Sequence, residues 1–95
     1  MTVWFPVHKT QELSELFFKQ VALGLPPFIK KWQVFFGQDG PKGGKAYHLI
    51  IVERGKVDEG YKLIHKMNQP MSEIEGWNCK IEPLLGMKDA AELMG

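Results

Sequence analysis

The sequence predicts an α+β fold with the element order β-α-β-β-α-β. Two observations carry this prediction. Four short segments are rich in β-branched and aromatic residues, and the longer segments between them space their apolar residues at three and four. The glycine-rich run "GQDGPKGG" joins the second and third short segments, as the turn of a hairpin does.

Residues 2–7, "TVWFPV", read as the first strand, with Pro6 near its end because proline cannot donate to a ladder. Thr10 is the expected N-cap of a helix over "QELSELFFKQVAL". Leu13, Leu16, Phe17 and Val21 share one face of it, and Glu12, Glu15 and Lys19 point away. Gly24 and the pair Pro26-Pro27 stop it. Residues 28–36, "FIKKWQVFF", are strand two, and "KAYHLIIVE" returns as strand three after a long loop. A second helix is expected from Asp58, its N-cap, through "EGYKLIHKMN", with Tyr61, Ile64 and Met67 on its apolar face and Pro70 as its end. "WNCKIEPLL" reads as strand four and "KDAAELM" as a short terminal helix. This is the split βαβ, ferredoxin-like plan: one domain over residues 1–95, an antiparallel sheet in the order 4-1-3-2, and two helices on one of its faces.

Composition narrows the function classes. A formal net charge of +1 without a basic stripe gives no electrostatic footprint for nucleic acid. A single cysteine, Cys79, allows no internal disulfide and no cysteine-based metal site, and it falls on the helix side of strand four as an inert core thiol. The start "MTVWFPVHKT" lacks the basic and apolar regions of a signal peptide, and no run approaches the ~20 apolar residues of a membrane span. The expectation is a soluble, cytoplasmic protein with no cofactor, no metal, no membrane and no nucleic-acid partner.

Strand three does not alternate. Tyr47, Leu49 and Ile51 are apolar on one side, and Ala46, Ile50 and Val52 on the other, with His48 among them. Helices on one face leave the other bare, and monomers rarely expose a large apolar patch. The simplest cover is a second copy of the same sheet about a two-fold axis, so a homodimer through the sheet face is expected.

Here the chain resembles a family. "GLPP" before strand two, the hairpin "WQVFFGQDGPKGGKAYHLIIVE" and the close "NCKIEPLLGMKDAAEL" follow one another as in the dimeric α+β barrel superfamily, closest to a small functionally uncharacterised group within it. The resemblance covers nearly the whole chain. It implies ferredoxin-like protomers that pair their sheets around a pocket. The wider superfamily includes cofactor-free monooxygenases, isomerases, haem enzymes and simple binders, so it implies no single activity.

With Phe36 opposite Lys45 in the hairpin, Trp32, Val34, Tyr47, Leu49 and Ile51 face the helices, together with Val3, Phe5 and Val7. Trp4, His8, Gln33, Phe35, His48, Ile50, Asn78, Lys80 and Glu82 then face the inter-sheet space as the candidate ligand site. A slip of one residue would exchange the two sets in strands two and three. His48 has two readings: a half-buried histidine satisfied by Gln33, backbone or water, or a general base or ligand-orienting group. Trp4 and Phe35 could clamp a planar molecule or simply pack; Lys80 and Glu82 could hold an anion or form a wet edge. Three functions follow. One is a dimer that binds a small amphipathic or aromatic molecule between its sheets. Another is a cofactor-free enzyme of monooxygenase or isomerase type with His48 as base. The last is an interaction module with a closed dimer core. No metal site, triad or carboxylate dyad selects a reaction.

Overall fold

Pro6 decides where the first strand stops. The computed structural model describes residues 1–94, and in it β1 spans Thr2–Phe5. Pro6 is extended, and a single 3-10 turn at Val7–Lys9 then leads into α1, Thr10–Ala22. The strand is therefore shorter than residues 2–7, and Val7 and His8 lie outside it. Thr10 is the first residue of the helix, not its N-cap; Lys9 takes that position, and the Thr10 hydroxyl donates to the Val7 carbonyl. Leu13 is buried and Leu16 and Phe17 pack on the core, as the helical spacing requires. Gly24, at φ +92°, turns the chain out of the helix.

β2 (Ile29–Gln38) and β3 (Gly44–Val52) form a hairpin whose strands are longer, and whose loop is shorter, than "GQDGPKGG" suggests. Gly37 and Gly44 belong to the strands. Gly44 has a packing reason for its identity: a Cβ there would lie 2.4 Å from the Phe5 ring, so the strand gives that ring its seat. The register places Phe36 opposite Ala46 and Gly37 opposite Lys45, one residue from the expected pairing. The side-chain sets of strand three are therefore exchanged. Ala46, His48, Ile50 and Val52 lie with Trp32 and Val34 on the helix side, and Tyr47, Leu49 and Ile51 lie with Gln33 and Phe35 on the open side. A register irregularity between Ile29 and Lys31 lets the start of β2 keep Ile29 opposite Val52.

α2 runs Val57–Ser72, beginning one residue before Asp58 and passing through Pro70. Pro70 sits in the last turn, where only one backbone bond is lost, to the carbonyl of exposed Lys66. The Met67 carbonyl in the same turn accepts from Gln20 Nε2 at 2.7 Å, which ties α2 to α1. At the other end Gly60 admits Val52, whose methyl would lie 3.1 Å from any Cβ placed there. β4 is only Asn78–Lys80. The rest of the expected strand, from Ile81 to Leu85, is irregular and leads to α3, Met87–Met94. Arg54 Nη2, just beyond β3, reaches Asp89 at 2.8 Å and Glu92 at 3.2 Å on α3.

The sheet is β2-β3-β1-β4, with all three neighbouring pairs antiparallel. Counted from the other edge this is 4-1-3-2, with β3 and β1 central. The whole is an α+β fold with a four-stranded antiparallel sheet and three α-helices, compatible with a ferredoxin-like plan. The core is Val3, Phe5 and Ala46 from the sheet, Leu13 from α1, Met71 from the last turn of α2 and Ile74 just beyond it. Cys79 packs against it, on the side expected. Among the described residues no helix is long and apolar enough to cross a membrane.

Candidate functional site

The register that turns His48 inward also makes a hollow. Between α1 and the sheet lies a cavity of about 170 Å³. Its floor is Val3 and Phe5 of β1, Trp32, Val34 and Phe36 of β2, and Ala46 and His48 of β3; α1 roofs it with Leu13, Ser14, Phe17 and Phe18, and Met67, Asn68 and Met71 of α2 close one side. Phe18 and Phe36 line it yet are 66% and 70% exposed, so they stand at its mouth. No Asp, Glu, Lys or Arg lines it.

His48 is held by aromatic neighbours. Trp32, diagonal to it across the hairpin, donates its indole N–H to His48 Nδ1 at 2.9 Å. The two rings meet edge to face at 82°, and Phe17 of α1 approaches the imidazole edge-on with centroids 5.4 Å apart. The backbone is fixed too: the His48 amide donates to the Met1 carbonyl at 2.8 Å. Burial, followed by the positive chain amino group at Met1, lowers the His48 pKa to about 4. At neutral pH the ring is uncharged. Because Nδ1 accepts from Trp32, the ring hydrogen sits on Nε2. No side chain or backbone oxygen among the described residues accepts from Nε2, and that nitrogen is not sealed away from open space. The site therefore offers a hydrogen-bond donor. A general base would need a free lone pair and a pKa near the working pH.

Asn68 is the second polar group. It is 8% exposed, and its Nδ2 donates to Met1 Sδ at 3.3 Å and weakly to Cys79 Sγ at 3.8 Å. No donor among the described residues reaches its carbonyl oxygen, and Asn68 lines the cavity. Sequence reading overlooked Asn68, although the signal was present: it lies four residues after Ile64 and three before Met71, on the buried stripe of α2.

The expected site residues divide by location. Trp4, Gln33, Phe35, Asn78 and Lys80 do lie on the open side of the sheet. His48 and Ile50 do not, because of the register; Gln33 is on the opposite face from His48 and cannot bond to it. His8 is exposed in the 3-10 turn, away from any strand, and Glu82 follows β4 as the ion-pair partner of Lys80 at 3.5 Å. On the open side Trp4 Nε1 donates to Asp39 Oδ2 at 3.1 Å, and Lys45 Nζ lies 5.5 Å from the Trp4 ring and 5.1 Å from the Tyr47 ring. These contacts occupy Trp4 within the chain itself. No protein-family model, curated protein or solved structure matches this chain.

Proposed function

We propose that this chain binds a small, largely apolar molecule in the cavity under α1, inside the protomer, and that its open sheet face pairs with a second copy. The cavity carries the first part. A sealed void of 170 Å³ would cost about 4 kcal/mol at roughly 24 cal/mol per Å³. A domain of this size has only about 5–15 kcal/mol in total. This hollow is not sealed: it has a mouth at Phe18 and Phe36 and two polar groups left open to it, His48 Nε2 and Asn68 Oδ1, which supports reading it as a site rather than as poor packing. At 170 Å³ it is smaller than the ~300 Å³ of a drug-sized pocket but close to the ~150 Å³ that accepts a benzene ring. Catalysis with His48 as base finds less support, because the nitrogen left for the cavity carries its hydrogen. Titration with toluene, followed by amide chemical shifts, should move resonances of Leu13, Phe17, Ala46 and Met71 and leave the open face still. Shifts confined to the open face would place the ligand between sheets instead.

A specific observation favours the pairing. Phe35, Tyr47, Leu49 and Ile51 share the open side at 54, 48, 40 and 45% exposure. Two such faces joined back to back would form the dimeric α+β barrel that the sequence resembles. Sedimentation at micromolar concentration should show a dimer. Leu49→Lys should weaken it at least about tenfold, since each large apolar side chain buried is worth roughly 1.5–3 kcal/mol. A monomer in the unaltered protein would remove this part of the proposal and leave the cavity untouched.

A further inference from the structure

The geometry points to a ligand class for this cavity: a single aromatic ring carrying one uncharged oxygen, with the ring against Phe17 and Trp32 and the oxygen accepting from His48 Nε2. The inference rests on the binding reading above and adds the chemistry of the occupant. The size comes from the volume, about 170 Å³, which one ring fills. The preference for an aromatic occupant comes from the walls. Phe17 and Trp32 stand 5.7 Å apart at 59°, already in the tilted geometry that aromatic pairs prefer, and Phe5 and Trp77 add two further rings to the lining.

The oxygen follows from the tautomer. The indole hydrogen occupies Nδ1, so the imidazole must present N–H, and a ligand without an acceptor would leave that donor buried and unmatched. Asn68 offers a complementary acceptor, which suits a hydroxyl that both accepts and donates. The neutrality follows from the lining: it holds no Lys or Arg side chain, and the positive Met1 amino group already donates to the His48 carbonyl at 2.9 Å, so a carboxylate would lose its hydration for little in return. Phenol is the simplest molecule of the class.

The test compares four probe molecules on the unaltered protein by calorimetry or NMR titration: toluene, phenol, benzoate and 2-naphthol. Phenol should bind about three- to tenfold more tightly than toluene, the worth of one net hydrogen bond. Benzoate should bind at least about tenfold more weakly than phenol, and 2-naphthol, whose second ring would have to project through the mouth, should bind more weakly than phenol. In His48→Leu toluene should still bind, while the advantage of phenol disappears. Trp32→Phe keeps an aromatic wall but frees Nδ1, and should reduce that advantage without abolishing toluene binding. Toluene binding equal to or tighter than phenol overturns the oxygen assignment and leaves the cavity reading standing. Benzoate as the tightest ligand overturns the neutrality assignment. No binding by any of the four overturns this inference and the cavity reading together.

Discussion

Phe5→Ala should cost about 3–5 kcal/mol, a large share of the roughly 5–15 kcal/mol that holds a domain of this size folded. Phe5 is 7% exposed and belongs to the buried core with Val3, Leu13, Ala46, Met71 and Ile74. Its ring fills the space that Gly44 leaves by having no side chain. Truncation therefore removes the contacts of a ring and leaves a void that Gly44, lacking any side chain, cannot fill from β3. The void would also merge with the cavity, since Phe5 already forms part of its floor. Urea unfolding should show a large fall in midpoint with an unchanged slope. A loss below about 1 kcal/mol would mean that this ring is not the core element described, because even modest truncations of buried side chains cost more.

The second large effect is on acid stability. In the folded chain the pKa of His48 is lowered from 6.5 to about 4, chiefly by burial. In the unfolded chain it takes a proton near 6.5. As pH falls between these values the unfolded state binds a proton that the folded state refuses, so stability declines. Above about pH 6.5 the full stability is present. Below about 4 both states are protonated at this residue and its contribution to the slope ends. A displacement of this size corresponds to at most about 3.5 kcal/mol. Other groups titrate in the same range, so the measurement is a comparison. In His48→Gln the decline from pH 6.5 to 4 should be shallower than in the parent by an amount of that order. Parallel curves would show that burial does not hold the imidazole neutral.

Element order, the core face of α1, the inward positions of Val3, Phe5 and Cys79 and the sheet order were all legible, because each rests on a period or a breaker within one segment. The hairpin register was not. Register is read from which alternate residues are apolar, and β3 is apolar at both phases, with Tyr47, Leu49 and Ile51 as greasy as Ala46, Ile50 and Val52. β2 adds Phe35 and Phe36 side by side, which satisfies either choice. What decides is tertiary: Phe5 needs a glycine beneath it, and Gly44 opposite Phe5 sets the phase of all of β3. His48 was correctly singled out as an unusual residue in that strand, but its face followed the register and so reversed. Gln33, backbone or water were its expected partners; Trp32, next to Gln33 in sequence and on the other face, is the one the structure shows. The cavity itself is a property of how α1 sits on the sheet, and no single segment encodes it.

The molecule measures 46 × 32 × 17 Å. It is a plate, and among the described residues no large side chain falls below 2% exposure. A body 17 Å thick has no room between its faces for a further layer of interior, whatever side chains are chosen. The only direction in which the protein can deepen is perpendicular to its sheet. Placing a second plate against the open face would turn the four strands from an outer wall into the mid-plane of a block, and residues such as Tyr47 and Leu49 would pass from skin to interior without a change in their own conformation.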